Sequence, residues 1–273
     1  LGYPPEAVHY YSYGYKNGQY NYQGDIKEIS KGLSDLVQTL STDNKAKGGD
    51  GRVDLLGFSL GGVVARHYLS THLTNHHIRK LITVGSPHKG SWVLSVDKNI
   101  SNFPVIGKGT EAIIAEALLN LVNKDKTQKL SKESTAAQQI YPGSDFLEGE
   151  FGINKRVPQD VEYYTFYGDI HASVRRQLFG SIIQKTISIG DGLITPESAS
   201  YVPGVSPKKF GYSEETTVDL KLNRTGTGYA INVEIPNANS MKAFHTFLLD
   251  RKDLFKDLSC NALAIKDADI CKR

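Results

Sequence analysis

Short apolar runs alternate with longer amphipathic segments through the first third of the chain. Residues 53–56 and 80–85 are short enough and apolar enough for buried strands. Apolar side chains recur at helical spacing in 25–40 and again in 63–69, which predicts an amphipathic helix before each of these strands. Strands that alternate with helices in this way indicate an α/β fold, with a mostly parallel twisted sheet and helices on both faces.

Further strands are predicted at 8–13 and 161–167. Two later segments, 218–222 and 229–235, alternate apolar and polar residues and are joined by a glycine-containing turn. This pattern predicts a β-hairpin, which we place in an excursion from the main sheet at residues 213–236.

The stretch from 91 to 160 interrupts the alternation of strands and helices. It contains proline, glycine and a lysine-rich section, together with one clear amphipathic helix near 110–123. This helix has two interpretations: a core helix packed on the sheet, or a lid whose apolar face covers the site and transiently contacts a lipid surface. Its position between two core strands favours the lid, so we expect a lid-like or cap-like insertion at 91–160.

Length and composition are those of an ordinary globular chain. The 273 residues suffice for a single α/β domain spanning 1–273. Hydrophobic residues make up 39% of the chain and charged residues 22%, which is close to the average. The net charge of +3 is spread along the chain, so no basic stripe argues for a nucleic-acid partner. No apolar run approaches the roughly 20 residues of a membrane span.

The two ends of the chain carry information about processing. The chain opens at Leu1 without a methionine, so we expect that something upstream has been removed or left out. The only two cysteines, Cys260 and Cys271, are either free thiols or a disulfide that closes the tail. A disulfide would suit an exported protein and favours a secreted or cell-surface location, but targeting cannot be read from this sequence.

The most informative motif is G-F-S-L-G at 57–61, which has the G-x-S-x-G pattern around Ser59. It follows a predicted strand and precedes a predicted helix, which is the context of a nucleophile elbow. Small residues two positions before and after the serine, here Gly57 and Gly61, let neighbouring backbones approach. The turn lifts the Ser59 hydroxyl above the sheet edge and directs the helix N-terminus at the group under attack.

A serine nucleophile needs a general base, and the base needs a carboxylate that orients it. Hydrolases built on an elbow place these residues in the chain order serine, acid, histidine. Of the eight histidines, His245 is the one in the last hundred residues that can follow a late acid. Asp169, directly after a predicted strand, and Asp191, between two glycines, remain alternative acids on position and local chemistry.

Four segments of the sequence resemble the bacterial lipase-like branch of the α/β-hydrolase superfamily. Residues 55–66 resemble its elbow and following helix, and 81–91 resemble its next strand and loop. The segment 191–199 is similar to the D-G-hydrophobic-V-x-x-x-S segment that carries the acid, and 244–249 to the loop that carries the base. The resemblance covers most of the chain in order, and it is loosest at 91–160 and in the hairpin.

The resemblance implies an α/β-hydrolase fold and selects among the candidate residues. It makes Asp191 the preferred acid and Asp169 the reserve, and it implies a structural rather than catalytic role for His88. It also implies two oxyanion donors, one being the backbone N–H of Leu60. The second comes from a loop after an earlier core strand that lies between 8–13 and 53–57 in the family, so we expect residues upstream of Leu1, or a separate polypeptide, to supply it.

The leading hypothesis is a serine carboxylic-ester hydrolase, a lipase or esterase that cleaves acyl esters through Ser59, His245 and Asp191. One alternative is an acyltransferase that uses the same acyl-enzyme, and another is a binding module that kept the fold and lost activity. No cofactor is expected. Asp250 and Asp253 are carboxylates at a helix start, which solvation explains as well as a metal does, so no metal site is predicted.

Overall fold

In the described part of the chain, six strands form one mixed sheet, and two further strands pair as a separate two-stranded sheet. The computed structural model describes residues 3–13, 15–16, 19–20, 23–95, 113–114, 117–118, 131–178, 181–225, 228–236, 240–265 and 269–271. The strands are β1 Tyr15–Lys16, β2 Gln19–Tyr20, β3 Val53–Phe58, β4 Ile78–Val84, β5 Glu162–Leu178, β6 Ser181–Ser188, β7 Lys208–Thr225 and β8 Gly228–Glu234. The strands β3 to β8 form the sheet of six, and β1 and β2 form the separate pair. The α-helices are α1 Ile26–Ala46, α2 Leu60–Thr71, α3 Trp92–Ser95, α4 Thr135–Gln139, α5 Asp145–Glu148, α6 Pro196–Ala199 and α7 Lys252–Asp257. Shorter turns are the 3-10 helices Pro5–Ala7, His245–Asp250 and Asp269–Cys271, and the π-helical turn Leu258–Ala262.

The order of the main sheet is β3, β4, β5, β7 and β8, with β6 paired to β5. The pairs β3–β4, β4–β5 and β5–β7 are parallel, whereas β5–β6 and β7–β8 are antiparallel. The parallel pairs agree with the α/β class predicted from the alternation of strands and helices. The segments at 218–222 and 229–235 pair as the predicted antiparallel hairpin β7–β8. The prediction that 213–236 is an excursion from the main sheet is wrong, because β7 pairs along β5 and both strands belong to that sheet.

Helices cover both faces of the parallel sheet. On one face, α1 and α2 pack with buried side chains from residues 136–161 in a single hydrophobic cluster. On the other face, α7 and the following π-helical turn contribute buried leucines that pack against side chains of β4 and β5. The helix α1 starts at a side-chain cap, because Asp25 Oδ1 accepts the Lys27 backbone N–H at 2.8 Å. It runs six residues past the predicted end at residue 40.

The strands β5 and β7 continue far beyond the ends of β3 and β4. Phe58, Val84 and Phe166 lie at one level of the sheet, and β5 extends from there to Leu178 with β7 parallel beside it. The first part of β5 pairs with β4, and its later part, from His171 onward, pairs with β6 instead. The extension buries apolar side chains on one face, and its other face carries pairs such as Arg175–Asp219, with an Nε–Oδ1 distance of 2.8 Å. The predicted strand at 161–167 is therefore only the first part of a 17-residue strand.

The predicted lid lies mostly outside the described residues. Of the helix near 110–123, residues 113–114 and 117–118 are described; among them, Ile114 and Leu118 are fully buried, in a cluster with side chains of β5 and β7. Residues 131–160 are described and belong to the main core, where Gln139 Oε1 accepts the Ile26 N–H at 2.8 Å. A lid at 91–160 that contacts lipid thus stays a prediction. The described C-terminal part of this segment packs against α1.

The prediction of a strand at 8–13 is wrong for the described residues. Val8 to Ser12 are not assigned to a strand, and this segment is held by tyrosine side chains instead. The Tyr3 hydroxyl donates to Asp54 Oδ2 at 3.1 Å, and the Tyr11 hydroxyl donates to the Ile29 carbonyl. An apolar, tyrosine-rich run has strand propensity, but a strand also needs a neighbour for its backbone hydrogen bonds.

Cys260 and Cys271 form a disulfide across an 11-residue separation. It ties the last described turn to the π-helical turn that follows α7. Because the bond restricts a short loop of the unfolded chain, replacing both cysteines by serine should lower the free energy of unfolding by about 2–3 kcal/mol. Urea unfolding measures the loss, and a reductant should destabilise the wild type but not the double variant. Equal stability of the two proteins under oxidising conditions would contradict this prediction.

His67 on α2 makes stability depend on pH. Its ring stacks on Phe146 with centroids 5.5 Å apart, and burial, followed by the nearby Lys27, lowers its pKa to about 4. The unfolded chain binds a proton here below about pH 6.5, so between that pH and 4 it binds more protons than the folded chain. Stability is therefore lost as the pH falls through this window, by roughly 1–2 kcal/mol after allowing for partial exposure.

The pH effect is tested by urea unfolding at several pH values between 7 and 4.5. His67→Phe keeps a ring against Phe146 and should reduce the dependence of unfolding free energy on pH without removing it, because the pKa of the buried His88 is lowered as well. His9→Gln, at an exposed histidine, is the control and should leave the dependence unchanged. An unchanged slope in His67→Phe would show that another group titrates.

Candidate active site

Ser59 lies in a strained turn between β3 and α2. Its backbone has φ 51° and ψ −124°, a conformation that costs energy for a residue with a Cβ. Its N–H donates to the Val84 carbonyl at 2.8 Å, which holds the turn against the end of β4. The serine is therefore presented at the carboxyl edge of the parallel strands, as the elbow motif predicts.

Two glycines, Gly57 and Gly62, make the turn sterically possible, whereas the motif predicted Gly57 and Gly61. A Cβ on Gly57 would lie 2.5 Å from the Gly62 nitrogen, so this position needs glycine. A Cβ on Gly61 would meet one described atom within 4 Å, the Tyr13 hydroxyl at 3.8 Å, which is an ordinary contact. The tight position is instead Gly62, where a Cβ would lie 2.1 Å from Ser86 Oγ. The close contact between α2 and the loop after β4 is therefore made at Gly62, one residue after the glycine of the motif.

Ser59, His245 and Asp191 are joined by hydrogen bonds. His245 Nε2 lies 2.9 Å from Ser59 Oγ, and His245 Nδ1 lies 2.7 Å from Asp191 Oδ2. The aspartate is fully buried and the histidine is 5% exposed. The structure thus brings together the three residues that chain order and the lipase resemblance selected, although they lie far apart in the sequence.

The loop after β6 presents the Asp191 carboxylate. Asp191 Oδ1 accepts the backbone N–H groups of Leu193 and Ile194 at 3.0 and 2.9 Å, which leaves Oδ2 for the histidine. The backbone N–H of His245 donates to the Asp191 carbonyl at 2.8 Å. Asp191 and His245 are therefore fixed to each other through backbone as well as side-chain atoms, and two backbone N–H donors hold Asp191 Oδ1.

Glycines also allow Asp191 and His245 to pack against the sheet. Gly85, just after β4, has φ +54°, and a Cβ there would lie 3.0 Å from Asp191 Oδ2 and 3.2 Å from His245 Nδ1. A Cβ on Gly168 in β5 would lie 2.0 Å from the Ala243 carbonyl oxygen. The space that a side chain would need at either glycine is taken by the loops that carry Asp191 and His245. Sequence reasoning missed these two glycines, since their neighbours are distant in the chain.

Two buried serines join the loop after β4 to the segment that follows the acid. Ser91 Oγ donates to the Leu193 carbonyl, and Ser198 Oγ donates to the Gly90 carbonyl, both at 2.7 Å. Ser198 also accepts the Lys89 N–H at 3.0 Å. Ser198 is the serine that ends the acid-bearing segment of the lipase resemblance, which is the signal that could have identified it.

His88 lies in the same loop but away from the three hydrogen-bonded residues. It is fully buried, its Nε2 lies 3.2 Å from Thr83 Oγ1, and its backbone carbonyl accepts from Asn154 Nδ2. Burial, followed by the nearby Arg66, holds its pKa well below the usual range. A neutral buried histidine of this kind agrees with a structural role.

Asp169, the alternative acid, lies within β5, and its carboxylate is engaged elsewhere. Its Oδ1 accepts the Ser188 hydroxyl at 2.6 Å, and its Oδ2 lies 3.3 Å from His171 Nε2. The predicted strand ends at residue 167, but β5 continues through Asp169, which makes it a strand residue rather than a loop residue. Asp169 thus belongs to the β-sheet extension, and the structure does not bring it to His245.

Leu60 is the first residue of α2, directly after Ser59. Backbone N–H groups in the first turn of a helix have no intrahelical acceptor, and they lie at the positive end of the helix dipole. A negative oxygen formed near Ser59 would therefore be stabilised at this position. The second oxyanion donor, expected upstream of Leu1, stays a prediction.

Within the described ranges, no group of three or more histidine, cysteine, aspartate or glutamate residues has the geometry to hold a metal ion. The described residues also contain no helix that is both long and apolar enough to cross a membrane.

Comparison with known families identifies this architecture. The sequence model of the palmitoyl protein thioesterase family matches residues 2–144, a range that includes the elbow serine and the loop after β4. The chain belongs to this family. As a member of the palmitoyl protein thioesterase family it has the α/β-hydrolase fold, in agreement with the lipase-like resemblance and the mostly parallel sheet. Membership of this family indicates an acyl ester hydrolase in the general sense.

Solved structures of bacterial proteins are also similar to this family member. The lipase BlEst2 of Bacillus licheniformis is 16% identical, with 70% of this chain and 67% of that chain covered and a TM-score of 0.36. The phospholipase PlaB of Legionella pneumophila is 12% identical, with 78% and 39% covered and a TM-score of 0.39. A Listeria innocua gene product is 16% identical, with 73% and 59% covered and a TM-score of 0.33. No curated protein matches the chain significantly.

Proposed function

We propose that this protein is a serine hydrolase that cleaves acyl esters through a covalent acyl-enzyme, with Ser59 as nucleophile, His245 as general base and acid, and Asp191 as the residue that orients the base. The observation that carries the proposal is the continuous hydrogen-bonded path from Ser59 Oγ through the imidazole to Asp191 Oδ2, at 2.9 and 2.7 Å. A serine hydroxyl is weakly nucleophilic at neutral pH, and a base within hydrogen-bond distance removes this limitation.

In the proposed reaction, Ser59 Oγ attacks the acyl carbonyl carbon while His245 Nε2 takes the hydroxyl proton. The tetrahedral intermediate carries a negative oxygen, which the Leu60 N–H stabilises. The C–O bond to the leaving alcohol then breaks, and the imidazolium returns the proton to that alcohol. Water attacks the acyl-enzyme by the same steps in reverse, which releases the carboxylic acid and restores Ser59.

Three features support the proposed roles. The strained backbone of Ser59 is typical of a nucleophile elbow. Asp191 is fully buried and has one oxygen held by backbone donors, so its other oxygen is fixed on His245. The carboxylate can therefore hold the Nδ1–H tautomer and stabilise the imidazolium, which is the function of the third triad residue.

Thioesters are a second candidate substrate class, favoured by the family that the sequence matches. The same acyl-enzyme forms from an oxygen ester or a thioester, because only the leaving group differs. Comparing kcat/KM for an oxygen ester and a thioester of the same long-chain acid distinguishes the two. A clear preference for the thioester would place the physiological substrate among S-acyl compounds.

The proposal is tested by labelling the complete protein with a fluorophosphonate. We expect one adduct, located on Ser59 by mass spectrometry of the peptide that contains the elbow, and loss of ester turnover in proportion to labelling. The absence of an adduct on Ser59, or full turnover by labelled protein, would overturn the proposal. Product analysis with added alcohols separates hydrolysis from acyl transfer, since a transferase yields mainly the new ester.

A further inference from the structure

The aromatic ring of Phe58 lies against the imidazole of His245. The two ring centroids are 5.2 Å apart and the ring planes are inclined by 28°, which is a stacked arrangement. Phe58 is the last residue of β3 and directly precedes Ser59. Since neighbouring residues of a strand point to opposite faces, Gly57 contacts the start of α2 while Phe58 packs in the cluster that contains Leu248 and Leu254.

Hydrogen bonds alone restrain one motion of the imidazole only through their angles. The bonds at Nδ1 and Nε2 fix two points on the edge of the ring, to Asp191 and Ser59. Tilting of the ring about the line through those points changes both bond angles, and such bonds weaken steeply when misaligned. Contact with the face of the Phe58 ring opposes this tilt. Because residue 85 is a glycine, no side chain crowds His245 Nδ1 on that side.

The stacking also matters when charge develops. Proton transfer from Ser59 converts the imidazole to an imidazolium in the transition state. The face of a phenyl ring carries partial negative charge and attracts a cation within about 6 Å of its centroid. Contact with Phe58 therefore stabilises the charged ring more than the neutral ring, and this difference lowers the reaction barrier.

We propose that Phe58 is a positioning residue for the general base: it holds the His245 ring in the plane that serves both Ser59 and Asp191 and favours the imidazolium during proton transfer. This inference rests on the proposed function, because it assigns a role within the same triad. Phe58 acts through His245 and is not assigned any contact with the substrate.

Phe58→Leu and Phe58→Met remove the ring face but keep an apolar side chain. Both should lower kcat about tenfold and leave KM within about twofold, because the loss occurs in the transition state. The second-order rate of fluorophosphonate labelling should fall by a similar factor. Phe58→Tyr keeps the ring and should retain kcat within about twofold to threefold.

Phe210 provides the matched control. It packs in the same hydrophobic cluster and stacks on Phe166, with centroids 4.6 Å apart. Phe210→Leu should lower the thermal unfolding midpoint about as much as Phe58→Leu but leave kcat and the labelling rate close to wild type. The comparison separates loss of the stacked ring at His245 from general loosening of the core.

Three results would overturn the inference: wild-type kcat in a folded Phe58→Leu or Phe58→Met variant, an equal loss of kcat in Phe210→Leu, or a tenfold loss in a folded Phe58→Tyr variant. A tenfold loss in folded Phe58→Tyr overturns the inference even when the aliphatic variants do not fold. These outcomes differ from failure of the proposed function, which would appear as undiminished turnover in Ser59→Ala.

Discussion

Replacing Ser59 with alanine is expected to lower kcat for ester hydrolysis by about 10⁶, to the level that binding and the remaining oxyanion donor provide. The reason is that the acyl-enzyme route requires Ser59 Oγ, which lies 2.9 Å from the base, and alanine removes this oxygen without adding volume. Alanine accepts the backbone of the elbow about as well as serine does, so the thermal unfolding midpoint should change little. Initial rates with a chromogenic ester, together with fluorophosphonate labelling, measure the effect.

The control for Ser59→Ala is Ser95→Ala, which removes an exposed hydroxyl at the end of α3. Its Oγ donates to the Trp92 carbonyl within the same helix, at 2.7 Å. This variant should retain full turnover and a full yield of labelled serine. If Ser59→Ala retained turnover within tenfold of wild type, another nucleophile or another mechanism would be responsible.

Replacing Asp191 with asparagine is expected to lower kcat by about 10⁴, with a much smaller change in KM. Asparagine can still accept the Leu193 and Ile194 N–H groups at one atom, so the loop should keep its shape. Its amide would face His245 Nδ1 as a donor, which favours the tautomer with the proton on Nε2. That tautomer cannot take the Ser59 proton, and the imidazolium also loses its carboxylate partner.

Asp169→Asn is the matched control, since Asp169 is the other acid that the sequence offered. Its carboxylate bonds Ser188 and lies close to His171 on the β-sheet extension. This variant should keep kcat within a few-fold of wild type, whatever it does to stability. The reverse pattern, with activity lost in Asp169→Asn and kept in Asp191→Asn, would assign the acid to the strand residue.

The elbow was predictable because its signals are local. A short apolar run, a serine between glycines and a run with helical spacing lie within twenty residues, and they fold as β3, the Ser59 turn and α2. The packing of the turn was less predictable. Gly62 rather than Gly61 makes the close approach, because Ser86, which sets that requirement, comes from the loop after the next strand.

The long strands were only partly predictable. The pattern at 161–167 predicted a strand, yet β5 continues to Leu178 because β6 and β7 pair with its second half. Strand length depends on the neighbours that satisfy the backbone groups, and those neighbours come from distant segments. The same reason explains the opposite error at 8–13, where strand propensity is present but no strand forms among the described residues.

The sequence by itself determined the class of fold and the proposed nucleophile and base, because periodicity and chain order are linear properties that do not depend on packing. It left the acid open between Asp169 and Asp191 until a resemblance favoured the second. Only the tertiary structure decided which carboxylate meets His245. The long pairing of β5 places Asp169 in a strand, while the glycine-flanked turn after β6 brings Asp191 Oδ2 to 2.7 Å from the imidazole. The stacking of Phe58 on that imidazole likewise arises only when β3 and the turn at His245 meet in the folded chain.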